Sequence, residues 1–155
     1  MAKLKIGDMP RRVEDARFLT GAGCYVDDIQ LENMAHAVVL RSPHAHADIQ
    51  AIDTAAAKAA PGVVAILTGN DLAGGGIGPL QPYEQVNVYS GEAFHFPTQY
   101  PLAQDRVRYV GDPVALVIAE TQAQAHDAVE EIDIDYAPLP AKTQIQDALD
   151  GGDPD

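Results

Sequence analysis

The sequence is poor in cysteine, since Cys24 is the only one among 155 residues. A single thiol excludes an internal disulfide and an iron–sulfur cluster, which needs several thiolate ligands, and it predicts a reducing compartment. Long apolar runs are also lacking, and none approaches the roughly 20 residues of a membrane span. Residues 1–7 have no apolar core of a signal peptide. These absences predict a cytoplasmic protein with no membrane partner.

Basic residues are scarce as well. Lys and Arg number 10 against 23 Asp and Glu, which gives a formal net charge of −13 at pH 7. Nucleic-acid binding depends on clustered Lys and Arg, and anionic membrane surfaces attract the same residues. The composition therefore argues against both partners. A hydrophobic content of 46% is typical of a globular protein, and the length predicts one domain.

Apolar runs and alternating patterns predict short strands and helices. Strands are predicted at residues 35–41, 46–52, 63–68, 106–110, 114–119 and 132–136, and helices at 55–60, 121–130 and 143–149. The run at 114–119 is apolar throughout, which predicts burial on both faces. Asn70-Asp71 predicts a short turn, and residues 74–100 predict a long surface loop. The order of elements predicts an α+β fold.

Polar residues and prolines define the predicted element ends. Asp53 or Thr54 is predicted to cap the helix at 55–60. Thr121, with Gln124 three residues later, is predicted to cap the helix at 121–130. The predicted stop signals are Pro43, Pro61-Gly62, Pro138 and Pro140.

The glycine run Gly74-Gly75-Gly76-Ile77-Gly78 could form a phosphate loop. That function needs the glycines to open a helix, so that the helix N-terminus faces the phosphate. Pro79 and a polar stretch follow instead. The pattern therefore favours a flexible loop.

Histidine and cysteine supply the candidate metal ligands and nucleophile. His44 and His46 would point to one face of an extended segment, which suits zinc. The other candidate ligands are Cys24, His36, Asp48 and His95. Nothing in the spacing brings them together, so packed and hydrogen-bonded histidines are favoured. Cys24 could be a nucleophile with a histidine base, but the neighbouring Asp27 and Asp28 disfavour the thiolate, and an incidental thiol is favoured.

Asp112 is a candidate for a ligand contact through its carboxylate. It follows Gly111 between two predicted strands, at residues 106–110 and 114–119. The favoured interpretation is that Asp112 caps the turn, while Gly111 supplies a backbone conformation that other residues resist.

Two further charged groups leave alternatives open. A cluster of acids at residues 130–135 could act in acid–base catalysis. Their alternation with apolar residues favours the solvated face of a strand. They are Glu130, Glu131, Asp133 and Asp135. Arg11, Arg12 and Arg17 either pair with Glu14 and Asp15 nearby or contact another part of a larger protein.

Three stretches carry a family resemblance: Arg12–Asp28 (RVEDARFLTGAGCYVDD), Arg41–Ala47 (RSPHAHA) and Val107–Glu120 (VRYVGDPVALVIAE). They resemble the start of the large subunit of molybdenum hydroxylases, the family of xanthine dehydrogenase, aldehyde oxidase and aerobic carbon monoxide dehydrogenase. The sequence of these stretches is most similar to the large subunit of the bacterial carbon monoxide dehydrogenase type. The resemblance extends from about Gly7 to Leu149, and relatives commonly carry Gln or Glu at the position of Asp112.

The resemblance implies an α/β-hammerhead fold, with a mixed sheet and two main helices, over residues 1–150. Residues 151–155 would then be a truncated linker to the molybdenum-binding domains of the same large subunit. In this family the molybdenum is held by a molybdopterin, and [2Fe–2S] clusters and FAD lie on other domains or subunits. No catalytic, cofactor-binding or metal-binding residue of the family can be placed on this chain.

The function that the resemblance implies is that of an N-terminal domain in a molybdopterin-dependent oxidoreductase. Such a domain packs against the molybdenum domains and is inactive alone. The implied partners are those domains and the iron–sulfur and flavin subunits. The isolated domain is expected to self-associate at high concentration, and more strongly when salt is added. The substrate stays open between carbon monoxide, an aldehyde and a purine. The alternative is a free-standing binding or scaffold protein that reuses the fold without redox chemistry.

Overall fold

The computed structural model describes residues 12–81, 91 and 98–150, apart from the side chains of 148 and 149. The chain forms two compact units, residues 1–34 and 35–155. In the first unit, helix α1 (Asp15–Leu19) is followed by a 3₁₀ turn at Val26–Asp28. The rings of Phe18 and Tyr25 stack with their centroids 5.4 Å apart. No described residue of this unit is buried.

The described part of the second unit contains six strands in two sheets. They are β1 (His36–Arg41), β2 (Ala47–Asp53), β3 (Val63–Thr68), β4 (Arg106–Val107), β5 (Pro113–Ala119) and β6 (Asp133–Pro138). The strand orders are β1-β5-β3 and β4-β2-β6, and every described pair is antiparallel. The α+β class is confirmed. The strands form two antiparallel sheets where one mixed sheet was expected, because the turn after Arg41 carries the chain from the first sheet to the second.

The helices of this unit are short. They are α2 (Ala55–Ala59), α3 (Gly69–Gly74), α4 (Gln122–Glu130) and α5 (Ile145–Asp150). Ala57 of α2 and Ala125 and Ala128 of α4 pack with buried residues of β3 and β5. Small side chains on both helices let them lie close to the sheet. The residues buried between the helices and the sheet form the larger core cluster. It consists of Ala57, Ile66, Ala115, Val117, Ala119, Ala125, Ala128 and Ile132.

The central position of β5 explains its apolar sequence. Val114, Ala115, Val117 and Ala119 are fully buried, but Leu116 and Ile118 are only partly covered. Burial is therefore complete on one face and partial on the other, where the sequence predicted burial on both. Pro113 is tolerated because it stands at the first position of the strand.

The strand predicted at 106–110 is wrong beyond Val107. The backbone N–H of Arg108 donates to Asp112 Oδ2 at 2.9 Å, and the N–H of Asp112 donates to the Tyr109 carbonyl at 3.1 Å. These bonds close a turn, so Arg108 cannot continue the ladder. The remaining five predicted strands and all three predicted helices are confirmed, with every end within two residues of its predicted position. Strand β6 runs to Pro138, which is tolerated because β6 is an edge strand.

The short turn predicted at Asn70-Asp71 is wrong, because these residues lie in α3. Thr68 caps this helix and Asp71 reciprocates, with Asp71 Oδ2 accepting from the Thr68 backbone N–H at 2.8 Å and from its hydroxyl at 2.7 Å. Of the loop predicted at 74–100, residues 77–81 have no regular structure, and 82–90 and 92–97 lie outside the described residues.

The predicted caps of the other helices are present in part. Asp53 Oδ1 accepts the Ala55 N–H at 2.8 Å, whereas Thr54 makes no side-chain cap. Thr121 Oγ1 accepts the Gln124 N–H at 3.3 Å. The Gln124 side chain bonds the Thr121 hydroxyl at 2.8 Å, where the reciprocal box would use the Thr121 backbone. No described helix is long and apolar enough to cross a membrane.

The cap of α3 makes a pH prediction. The hydrogen bonds from the Thr68 hydroxyl and backbone hold the pKa of Asp71 below its ordinary value of 3.8. Because the pKa of Asp71 is lower in the folded state, its charged form stabilises α3 at any pH above the ordinary pKa. This contribution is lost as the pH falls through the lowered folded-state pKa. We expect Thr68→Ala to raise the pKa of Asp71 toward 3.8 in a carboxyl NMR titration. Thr121→Ala, at another cap, should leave it unchanged; equal Asp71 titrations in the Thr68→Ala and parent chains would contradict the account.

Candidate functional site

Two of the resemblance stretches meet at one end of the first sheet. Arg41 Nη1 donates to the Gly111 carbonyl at 2.9 Å. The Ser42 N–H donates to the Asp112 carbonyl at 2.9 Å, and the Gly111 N–H donates to the Ser42 carbonyl at 2.8 Å. Residues about 70 positions apart in the chain thus form one hydrogen-bonded junction, which we call the Ser42–Asp112 junction.

Asp112 is a structural cap at this junction. It is 8% exposed, and its carboxylate accepts the Arg108 N–H, as the turn-cap interpretation predicts. Gly111 has a φ of 92°, a conformation that L residues rarely adopt. Ser42 is 2% exposed, and its hydroxyl bonds the backbone N–H of His44 at 3.0 Å and the carbonyl of His44 at 3.1 Å. The junction fixes the backbone, and the Oδ2 atom of Asp112 is engaged in capping its own turn.

Tyr136 closes the junction from β6. Its ring packs against the His44 ring, with centroids 4.8 Å apart. Burial raises the pKa of the Tyr136 hydroxyl, the nearby Ser42 hydroxyl opposes the rise, and the negative charge of Asp112 adds to it. Among the described residues the Tyr136 hydroxyl makes no hydrogen bond of ordinary geometry. Burial therefore raises its pKa by more than the nearby Ser42 hydroxyl lowers it. Sequence reasoning missed Ser42 and Tyr136, because the pattern around them shows only a turn and a strand.

The two histidines do not converge on a metal site. His44 packs on Tyr136, and His46 Nδ1 bonds the Pro140 carbonyl at 2.9 Å, so each ring has a structural contact. Asp48, a candidate ligand, instead pairs with Arg106 at 2.6 Å. Within residues 12–81, 91 and 98–150, no three His, Cys, Asp or Glu residues lie close enough to hold a metal ion. His95 lies outside the described residues.

A cavity of about 250 Å³ lies beside the junction. Its charged lining includes both signs, with Arg106 and Arg108 near Asp105 and Asp112. The volume is below the range of about 300–1,000 Å³ that is usual for small-molecule sites. With its basic groups balanced by acids, the cavity shows no preference for an anionic or a cationic ligand.

The glycine run does not form a phosphate loop in its described part. Gly74 is the last residue of α3, and Ile77–Gln81 continue without regular structure. Glycines that follow the C-terminus of a helix meet carbonyl oxygens, which repel phosphate. The prediction of a loop at these residues is confirmed.

Cys24 lies exposed in the first unit, and its thiol contacts the Tyr25 carbonyl at 3.7 Å. The described residues of that unit include no histidine that could act as its base. The incidental-thiol interpretation therefore fits this environment.

The structure shows the contacts of the charged groups whose role the sequence alone left undecided. Arg12 pairs with Asp15 at 3.7 Å, and Arg17 pairs with Glu14 at 3.5 Å. These exposed pairs favour the local interpretation and contribute little stability. Arg11 lies outside the described residues. Asp133 and Asp135 are exposed on β6, which confirms the solvated strand face for these two. For Glu130 and Glu131 the strand prediction is wrong, because these exposed residues end and cap α4.

Comparison with known proteins gives a family for this fold. The family model described as the a/b hammerhead domain of aldehyde oxidase and xanthine dehydrogenase matches residues 20–140. Quinoline 2-oxidoreductase from Pseudomonas putida 86 has a similar structure, with a TM-score of 0.80 and 41% identity. The likeness covers 92% of this chain and 17% of that one.

Two curated relatives also match most of this chain over a small part of their own length. The carbon monoxide dehydrogenase large chain of Afipia carboxidovorans is 40% identical over 135 residues, which are 87% of this chain and 15% of the relative. The nicotine 6-hydroxylase large subunit of Paenarthrobacter nicotinovorans is 40% identical over 148 residues, which are 95% of this chain and 17% of the relative. The chain thus spans about a sixth of these proteins, and it belongs to the aldehyde oxidase and xanthine dehydrogenase a/b hammerhead family.

Proposed function

We propose that this chain is the hammerhead domain of a molybdopterin-dependent oxidoreductase large subunit, and that it has a structural role and no catalytic residue. The observation that carries the proposal is the combination of length and fold. Nearly the whole chain matches proteins named as dehydrogenase and hydroxylase large subunits, yet it spans only 15% and 17% of their lengths. The domain comprises residues 1–150, with residues 151–155 as a linker.

The described residues offer no ligand set for the metal centres that the family implies. An iron–sulfur cluster takes several thiolates, and the sequence has one cysteine. The described residues include no cluster of three metal-ligating side chains. The buried polar groups Ser42 and Asp112 bond the backbone of the junction, so they are committed to the fold. We propose that molybdopterin, [2Fe–2S] clusters and FAD lie on other domains or subunits, and that the assembly is cytoplasmic.

The first test is the metal content of the purified 155-residue chain. We expect molybdenum and iron far below one atom per chain by mass spectrometry, because the described residues offer no ligand set. Purification from cells that produce molybdopterin gives the cofactor every chance to bind. Stoichiometric molybdenum or iron would contradict a purely structural role.

The second test separates a large-subunit domain from a free-standing protein. In a chimera, residues 1–150 of this chain replace the matching segment of the nicotine 6-hydroxylase large subunit, its 40% identical relative. We expect the chimera to retain molybdenum, because a domain of the same family should complete the subunit. A second chimera that carries an unrelated domain of equal length is the control. Molybdenum loss in both chimeras equally would overturn the proposed function.

A further inference from the structure

The β1-β5-β3 sheet has one face on which neither α2 nor α4 packs. Helices α2 and α4 pack on the opposite face, over Val38, Val117 and Ile66. Strand pairing places Val39, Leu116 and Leu67 in one row, and Ala37, Ile118 and Ala65 in the next. These six residues form what we call the outer face. None of them belongs to either core cluster of the domain.

The composition of the outer face departs from the usual pattern of an antiparallel sheet. Such sheets commonly alternate, with apolar residues toward the core and polar residues toward water. Here both rows are wholly apolar across three strands. Ala37 is exposed, and Val39, Leu67, Leu116 and Ile118 are partly exposed. An apolar sheet face that stays partly exposed is typical of a contact with another protein surface.

We infer that the outer face is the surface through which this domain docks on the remainder of its molybdenum-enzyme large subunit, an inference that rests on the proposed function. The relatives are roughly six times longer than the segment they share with this chain, since that segment is 15% and 17% of their lengths. A domain within such a subunit must lose apolar surface to its neighbours. The outer face is the uncharged sheet surface available for that contact.

Charge favours this occupant over a second copy of the chain. Each copy carries a formal charge of −13, so two copies that meet face to face would repel. The outer face itself carries no charge. An apolar surface of the same subunit would be kept close by the covalent connection, which raises its effective concentration.

Two alanines provide a matched test. Ala37 lies on the outer face, and Ala123 lies on the solvent side of α4; both are exposed. Ala37→Glu and Ala123→Glu add the same side chain and the same charge. Neither should change the thermal unfolding temperature of the isolated 155-residue chain, because neither residue belongs to a core cluster. Ala37→Lys adds a charge of the opposite sign and guards against a purely electrostatic effect.

The measurement uses the nicotine 6-hydroxylase chimera described above. We expect Ala37→Glu and Ala37→Lys each to lower the recovered molybdenum-containing subunit at least about tenfold, which corresponds to about 1.4 kcal/mol of lost docking energy. Ala123→Glu should leave it unchanged. Equal recovery for all variants would overturn the inference, and so would an equal loss in the Ala123→Glu variant. If the unaltered chimera itself fails to hold molybdenum, the proposed function falls and the inference with it.

Sedimentation of the isolated chain tests the competing occupant. We expect a monomer at micromolar concentration at low salt, where repulsion between copies is strongest. A stable dimer that Ala37→Glu dissociates and Ala123→Glu does not would assign the outer face to a second copy and overturn the inference.

Discussion

Replacement of Gly69 by alanine is expected to cost the domain about 3 kcal/mol of unfolding free energy. Gly69 is the buried first residue of α3. A Cβ there would lie 2.4 Å from the Ala103 carbonyl oxygen and 2.9 Å from its carbonyl carbon. Backbone atoms cannot rotate away as the end of a flexible side chain can. The Ala103 backbone is also anchored, because its N–H donates to the Pro113 carbonyl at 2.7 Å.

Gly74→Ala is the matched control at the other end of the same helix. A Cβ at Gly74 would meet nothing within 4 Å. The substitution should stabilise the domain by about 0.5 kcal/mol, because alanine restricts the unfolded chain more than glycine does. Urea unfolding followed by circular dichroism measures both variants. A loss below about 1 kcal/mol for Gly69→Ala would mean that α3 and the Ala103 segment move apart at little cost.

The sequence predicted the local elements well where local signals were strong. The apolar run at 63–68 coincides with β3, because β-branched residues favour strands and Pro61-Gly62 interrupts the chain before them. Helix α3 was missed because glycine and asparagine at its start resemble a turn. The Thr68 and Asp71 pair was the signal that could have found it, since Thr-x-x-Asp resembles a capping box.

The sheet partition could not be predicted from local pattern. Strand β5 lies between β1 and β3, more than 40 residues from the nearer one in the chain. Such pairing is set by side-chain packing across the sheet, which periodicity does not encode. The same reason hid Ser42 and Tyr136, whose places at the junction depend on contacts with distant residues.

Asp112 combines a local hydrogen bond within its own turn with the non-local bonds of the junction. We expect Asp112→Ala to lower the unfolding free energy by about 2 kcal/mol. The substitution leaves the Arg108 N–H without its acceptor, beside the turn that reverses the chain from β4 into β5. That turn also receives hydrogen bonds from Arg41 and Ser42, so its loosening weakens the connection between the two sheets.

Asp112→Asn separates the hydrogen bond from the charge. Asparagine keeps an acceptor oxygen at the same place, so we expect it to cost less than about 1 kcal/mol. Asp135→Ala removes an exposed carboxylate and should change the unfolding free energy by less than about 0.5 kcal/mol. Hydrogen exchange at the Arg108 amide gives the local readout: protection should be lost with alanine and kept with asparagine. If alanine and asparagine cost the same, the charge of Asp112 and not its bond to Arg108 would be what the junction needs, and the cap interpretation would be wrong.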